Sequence, residues 1–225
     1  MSRLGRLLAT LREFYGPLPE PPHDPFTLVV WDVLSVHSTP HKRDAALAAL
    51  RRARALTPDA MTRVPAKTLT DGVALAGPYL DQRLRALQTA SDVFRRSPSL
   101  PAAIKGPIVS AARALKPLPQ MTEGGAHRML LFAGEHAVMP VDASVSRVGR
   151  RLGYGAARPS AAGTARSVRA ALTKELPHDR RTYQMAATYL DHHGSATCTE
   201  SDPHCHVCPL NGDCAEGLRR LARSH

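Results

Sequence analysis

Four cysteines in a short C-terminal stretch are the residues of this sequence best suited to chemistry. Cys198, Cys205, Cys208 and Cys214 follow the spacing C-x6-C-x2-C-x5-C, and they are the only cysteines among the 225 residues. Four thiolates this close together can hold one metal centre, either a 4Fe-4S cluster or tetrahedral zinc. Zinc ribbons usually have two short cysteine pairs, whereas only Cys205 and Cys208 form one here, so the spacing favours a 4Fe-4S cluster. Disulfides are the alternative, and the absence of an export signal disfavours them.

The charge of the chain points to a polyanionic partner. Lys and Arg number 30 against 19 Asp and Glu, which gives a formal net charge of +11. Such a balance suits nucleic acid, although a basic domain can also carry charge for solubility alone. No apolar run approaches the roughly 18 residues of a membrane span, and the first ten residues lack the apolar block of a signal peptide. We therefore expect a cytoplasmic protein, associated with the nucleoid if it is bacterial, with no membrane partner.

Helices are the elements that must position these residues. Apolar residues recur at helical intervals in most segments between the prolines, and strands are hard to find, so the sequence predicts an all-α protein. Five prolines between residues 17 and 25 interrupt the pattern and indicate a domain crossing. The predicted helices cover about residues 3–15, 26–35, 40–54, 80–94, 104–115, 126–132, 143–152, 165–176 and 180–192.

The cysteine spacing resembles the cluster loop of the endonuclease III branch of the helix-hairpin-helix DNA glycosylases. The residues from His193-Gly194 to Cys198 are similar to the HG-x-x-x-C sequence that leads into that loop. Further short motifs appear in the order of the family across about residues 25–214. They are Pro25-Phe26 with Leu34-Ser35, His37 and Thr39, then Gly77-Pro78-Tyr79, Leu118-Pro119, and Val141-Asp142 with Arg147-Val148.

This resemblance implies a two-domain helix-hairpin-helix glycosylase fold with a C-terminal iron-sulfur cluster loop. A six-helix barrel with the helix-hairpin-helix would cover residues 25–137, and a discontinuous cluster domain would join residues 1–24 to 138–225. The implied function is base-excision repair by a monomeric N-glycosylase that flips damaged bases out of double-stranded DNA. The alternative is a DNA-binding or damage-sensing protein on the same scaffold with little or no catalysis.

Asp142 is the catalytic carboxylate that the resemblance implies. Its place before a predicted helix also suits an ordinary helix N-cap. Bifunctional members of the family carry a nucleophilic lysine eighteen residues before this aspartate, and here that position is Gly124. Because glycine has no amine with which to form a Schiff base, we expect a monofunctional enzyme or one with weak lyase activity at abasic sites.

Two more residues lie at family positions on the first long apolar helix. Asp32 stands where related adenine-DNA glycosylases carry a general acid, and it can equally be a buried aspartate satisfied by an arginine or by backbone groups. His37 stands where endonuclease III proteins carry a glutamine that fills the gap left by a flipped base. It can instead simply cap the end of its helix.

The remaining predicted DNA contacts lie in the hairpin and on a basic helix. The hairpin reads Leu118-Pro119-Gln120-Met121-Thr122-Glu123-Gly124-Gly125, so Gln120 and Thr122 replace expected glycines and Glu123 adds a negative charge. We expect the backbone of Thr122, Gly124 and Gly125 to approach a phosphate. Arg147 is a predicted phosphate contact, with an exposed basic face as the alternative. The acidic segment between Cys198 and Cys205 predicts a structural role for the cluster.

Overall fold

The computed structural model describes residues 1–222, which divide into two compact units. The first unit comprises Met1–Glu20 together with residue 137 onward, and the second comprises Pro21–His136. The described residues form α-helices and one short 3-10 helix, with no strand among them, which confirms the predicted all-α class. The last three residues of the predicted segment 138–225 lie outside the described residues. None of the helices in residues 1–222 is long and apolar enough to cross a membrane.

The second unit is built around one buried helix. Nine consecutive residues of α2, from Phe26 to Leu34, are buried, because this mostly apolar helix packs against three neighbours, α3, α6 and α9. The helices of this unit are α2 Pro25–Ser35, α3 Pro40–Arg52, α4 Pro58–Arg63, α5 Ala66–Ala74, α6 Leu80–Arg96, α7 Leu100–Lys105, α8 Ile108–Leu115 and α9 Glu123–Phe132.

Prolines break two stretches of the second unit into short helices. Pro65 separates α4 from α5, and Gly106-Pro107 separates α7 from α8. The prediction of one continuous helix over 104–115 was therefore wrong, since a proline lacks the N–H that an inner helical turn requires. The hairpin between α8 and α9 keeps Leu118 buried and turns at Gln120.

Helices α1 and α10 of the first unit both pack against α12. Leu4, Leu7, Leu8 and Leu11 form the buried face of α1, which packs against α12. Helix α10 also packs against α12, and Gly194 permits this approach because a Cβ there would meet Ser144 at 2.9 Å. The elements of this unit are α1 Arg3–Tyr15, α10 Ala143–Arg151, α11 Ala161–Thr173, α12 Arg180–Ala196, a 3-10 helix Asn211–Asp213 and α13 Ala215–Leu221.

Candidate functional site

The four cysteines line a single cavity of the first unit. Its volume is about 380 Å³ when the part open to solvent is included, and all four side chains are free thiols. Cys214 is buried, and the other three are half-buried. As placed, residues 1–222 contain no group of three or more His, Cys, Asp or Glu side chains that could hold a metal ion. The donor set and its common cavity fit a four-thiolate centre, and the metal itself stays a prediction.

The electrostatics of this cavity disfavour bare thiolates. Burial, with smaller contributions from the neighbouring cysteines, raises the pKa of the Cys208 thiol to about 11. Burial also raises the pKa of Cys205. Thiolates in such surroundings need a nearby cation, and a bound metal centre supplies one. The cavity is therefore chemically suited to a metal that four thiolates share.

Two arginines of α10 bind the loop that carries the cysteines. Arg147 donates from Nε to the carbonyl of Cys198 at 2.9 Å and from Nη2 to that of Gly194 at 2.7 Å. Arg151 donates to the carbonyls of Thr199 and Glu200, and its Nη1 also lies 3.2 Å from Sγ of Cys198. The guanidinium of Arg147 is thus engaged with the cysteine loop, and its predicted phosphate contact stays a prediction.

A hydrogen-bonded group joins α1 to the same loop. The hydroxyl of Tyr15 lies 2.8 Å from Nδ1 of His193 and 2.6 Å from Oγ1 of Thr197. The other ring nitrogen of His193 lies 3.7 Å from Sγ of Cys208. Burial, with a contribution from His192, lowers the pKa of His193 to about 4, so this imidazole is neutral at neutral pH. His193 appears in the sequence analysis only as part of a motif, and no sequence pattern linked it to Tyr15.

Asp142 caps the N-terminus of α10. Its Oδ1 accepts a hydrogen bond from the backbone N–H of Val145 at 2.9 Å, and the residue is half-buried. The N-cap alternative is therefore correct as a description of its geometry. It does not exclude a catalytic role, because a cap fixes the carboxylate on a rigid element.

The hairpin of the second unit places its backbone as a glycine-rich turn would. Gln120 has a φ of 61°, the left-handed conformation that glycine adopts most easily. Thr122 caps α9 by accepting from the N–H of Gly125 at 3.2 Å. Gly124 and Gly125 are buried in the first turn, and a Cβ on Gly125 would meet the carbonyl of Gln120 at 2.6 Å. Gly125 is thus required by close packing within the hairpin.

Asp32 lies in a buried cluster of charge and aromatic surface in the second unit. Its carboxylate is 2.5 Å from Nη1 of Arg128, and the residue is only 4% exposed. The guanidinium of Arg128 also lies 5.3 Å from the ring centre of Trp31, while Arg43 lies 4.3 Å from the same ring. This geometry matches the second of the two alternatives for Asp32, a buried aspartate that pairs with an arginine. Sequence reasoning missed Arg128, although its spacing of four residues from Gly124 places both on one face of α9.

His37 and Tyr79 bring two aromatic rings together on the second unit. His37 is exposed, and the centre of its ring is 5.0 Å from that of Tyr79. Both residues have positive φ angles, 49° and 69°. The C-cap of α2 is Val36, so His37 lies just beyond the cap and the capping alternative is wrong. Its contact with DNA stays a prediction, and its neighbour Tyr79 was missed as a site residue.

Comparison with solved structures decides the fold. A non-covalent endonuclease III–DNA complex matches with a TM-score of 0.70 and 23% identity, covering 99% of this chain and 100% of that one. A trapped endonuclease III–DNA covalent intermediate matches with 0.69 and 22%, covering 98% and 100%. The chain has the fold of endonuclease III. No protein-family model matches the sequence, and no curated protein matches it.

The endonuclease III fold also occurs in a more distant glycosylase. The H. pylori 3-methyladenine DNA glycosylase MagIII, bound to 1,N6-ethenoadenine, matches with a TM-score of 0.60 and 15% identity over 85% of this chain and 94% of that one. The predicted helix-hairpin-helix glycosylase fold is thereby confirmed. At these identities the likeness concerns the fold, and activity has to be argued from the site.

Proposed function

We propose that this protein excises damaged bases from double-stranded DNA as a monofunctional N-glycosylase in base-excision repair. The observation that carries the proposal is the match of the endonuclease III fold over nearly the whole of both chains, in structures that contain DNA. The net charge of +11 supports a DNA partner, since neutralising phosphates releases bound counterions.

The chemistry requires a carboxylate beside the sugar. As the bond between C1′ and the base breaks, positive charge develops on the sugar, and an ionised carboxylate stabilises it. Asp142 supplies this group in our proposal, held at the start of α10 by the Val145 amide. Water then adds to C1′, and an abasic site remains. The flipped nucleotide would have to be extruded from the helix first, at a cost that is lowest for a damaged or mismatched base.

The hairpin argues against an efficient lyase. Gly124 offers no amine, and a Schiff base with the abasic sugar requires one. The chain has only five lysines, and two of them, Lys67 and Lys105, form exposed ion pairs with Asp71 and Glu135. Lys116 is the nearest in sequence to the hairpin and is exposed. We propose that strand cleavage, if any, is weak and proceeds through another amine.

A damage-sensing protein is the second candidate. Glu123 is exposed in the first turn of α9, beside the backbone that would face a phosphate, and its charge opposes DNA at that point. Gly124 lacks the amine of a lyase, and Glu123 weakens the contact with the phosphate. Both features favour a scaffold that recognises damaged DNA but does not excise its bases.

We propose that Cys198, Cys205, Cys208 and Cys214 hold a 4Fe-4S cluster. When bound, such a cluster supplies a rigid centre that orders the loop, and it carries a redox potential. Arg151 and the N–H of Gly217 lie near two of the sulfurs, at 3.2 and 3.4 Å. Iron and acid-labile sulfide in the purified protein would support the cluster, whereas zinc alone would support the alternative.

A panel of duplexes, each with one damaged or mismatched base, tests the function. Products are analysed with and without alkali, which separates base excision from strand cleavage. We expect cleavage of at least one duplex only after alkali. Excision that is accompanied by strong trapping with borohydride would contradict the monofunctional proposal. Selective binding without excision of any base would favour the damage sensor.

A further inference from the structure

A chain of hydrogen bonds runs from α1 to one of the four cysteines of the first unit. It joins Thr197 to Tyr15, Tyr15 to His193, and His193 to Cys208. We propose that His193 donates a hydrogen bond to the metal-bound sulfur of Cys208, that Tyr15 is its positioning residue, and that the pair raises the reduction potential of the cluster. The inference rests on the proposed 4Fe-4S cluster and is independent of base excision.

His193 contacts the cysteine loop with both its backbone and its ring. The residue lies in the last turn of α12 and is only 2% exposed. Its carbonyl accepts from the N–H of Thr197 at 3.0 Å and from that of Cys198 at 2.7 Å, where the helix ends and the loop begins. The ring faces a second cysteine, because Nε2 lies 3.7 Å from Sγ of Cys208, within hydrogen-bonding reach of a sulfur. The imidazole is therefore fixed beside a sulfur and shielded from water.

The thiolate sets the direction of every bond in the chain. A metal-bound cysteine is a thiolate, which can only accept, so Nε2 of His193 must carry a hydrogen. A neutral imidazole has one N–H, and Nδ1 is then an acceptor. The Tyr15 hydroxyl, 2.8 Å away, donates to this nitrogen, and its oxygen accepts from Oγ1 of Thr197 at 2.6 Å. Each donor thus supports the next one, and the last N–H faces the sulfur.

Tyr15 is well placed to select this tautomer of His193. Burial raises the pKa of its hydroxyl, against the opposing effect of the bond with Thr197, so the hydroxyl keeps its proton at neutral pH. The Tyr15 ring packs edge-on against that of His192, with the ring centres 4.7 Å apart, which restricts the position of the hydroxyl. Without this hydroxyl, Nδ1 of His193 would lose its partner, and nothing in the chain would hold the N–H on the side of the sulfur.

A hydrogen bond to a ligand sulfur changes the potential of an iron-sulfur centre. Reduction potentials of such centres depend on hydrogen bonds to the sulfurs and on exposure to solvent. An N–H that faces the sulfur stabilises added negative charge, so it favours the reduced state and raises the potential. At Cys208, His193 adds its N–H to a hydrogen bond from the backbone of Leu210. Cys208 is thus the sulfur through which Tyr15 of α1 acts on the cluster.

Spectroelectrochemical titration of the iron-loaded wild-type protein and of Tyr15→Phe tests the chain. Phenylalanine keeps the ring and removes only the hydroxyl. At a fixed potential, we expect the ratio of reduced to oxidised cluster to fall roughly tenfold in Tyr15→Phe, which for a one-electron couple lowers the reduction potential by about 59 mV. Loss of iron to a chelator should become roughly 10- to 100-fold faster, the range for removal of a group that orients a metal ligand. A Tyr15→Phe protein with the wild-type potential would overturn the inference.

Tyr183→Phe is the matched control for the loss of a hydroxyl. The hydroxyl of Tyr183 lies 3.0 Å from Nδ1 of His178, so the variant breaks a similar tyrosine–histidine bond in the same unit. Tyr183 lies in the first turn of α12, whereas His193 lies in the last. We expect Tyr183→Phe to keep the wild-type potential. An equal fall in both variants would assign the effect to a general loosening of the first unit and overturn the inference.

His193→Leu removes the donor itself and tests the positioning role of Tyr15. The reduction potential of His193→Leu should fall at least as far as that of Tyr15→Phe. In the His193→Leu background, Tyr15→Phe should change the ratio of reduced to oxidised cluster by less than about twofold, or about 18 mV, because Tyr15 acts through the imidazole. Falls in potential that add in the double variant would overturn the positioning role.

These measurements separate the hydrogen-bond chain from the proposed cluster and the proposed function. A wild-type protein that contains zinc and no iron would overturn the inference together with the cluster. A fall in potential in Tyr15→Phe, from a wild-type protein that excises no base, would support the inference and contradict the glycosylase. Excision by an iron-loaded protein whose potential does not depend on Tyr15 would do the reverse.

Discussion

Asp32 and Arg128 form a 2.5 Å ion pair in which the side chains are 4% and 12% exposed. The pair lies beside Trp31, against whose ring the Arg128 guanidinium packs. The carboxylate is held by a fixed cation within the fold, whereas a general acid must present its proton-bearing oxygen to the departing base. The geometry therefore favours a structural role for Asp32 over the catalytic one that its position suggests.

Asp32→Asn should destabilise the protein markedly. Removing one partner leaves the charge of Arg128 buried without its counter-ion, which costs about 3–5 kcal/mol of unfolding free energy. The double variant Asp32→Leu with Arg128→Met removes both charges and should recover most of that loss. Denaturant unfolding measures both effects. Base excision by the double variant distinguishes the two roles. If Asp32 is a general acid, the double variant folds but does not excise bases; if Asp32 is structural, the double variant folds and excises them.

Asp142→Asn should slow excision strongly without unfolding the protein. Asparagine caps a helix as well as aspartate does, so the free energy of unfolding should change by less than about 1 kcal/mol. Loss of the charge that stabilises the sugar cation should slow excision roughly 100- to 1,000-fold. Asp179 provides a matched control, because it caps α12 through the N–H of Thr182 at 2.8 Å. An equal loss of single-turnover excision rate in Asp179→Asn would assign the effect to capping.

Gly125→Ala should impair the hairpin. The new Cβ would meet the Gln120 carbonyl at 2.6 Å, so the turn must shift, and we expect a loss of about 1–3 kcal/mol in stability with weaker DNA binding. Gly212→Ala is the control, because a Cβ there meets no atom within 4 Å. Thermal unfolding and anisotropy with intact duplex measure the two effects. A Gly125→Ala protein that binds DNA like the wild type would remove this hairpin from the interface.

The sequence predicted local features well because they depend on neighbouring residues. The α1 bounds, the cap at Asp142 and the grouping of the cysteines all follow from short spacings. The ion pair of Arg128 depends on a partner 96 residues away, and a single sequence carries no record of such pairing. Gln120 occupies a position where the sequence analysis expects a glycine, yet its backbone adopts the left-handed conformation that glycine favours. The residue type at position 120 could not show that the turn tolerates a left-handed backbone at a glutamine.

Arg151→Met should weaken the retention of the proposed cluster. Arg151 donates to two carbonyls of the cysteine loop and lies 3.2 Å from Sγ of Cys198, so its loss frees the first cysteine and removes a positive charge beside the thiolates. We expect a lower iron and sulfide content per chain and faster loss of iron to a chelator, by roughly 10- to 100-fold. Arg150→Met is the control, since Arg150 is the preceding residue of α10 and is exposed. Equal metal retention in the two variants would show that the loop is ordered by the cysteines and the remaining contacts of Arg147 alone.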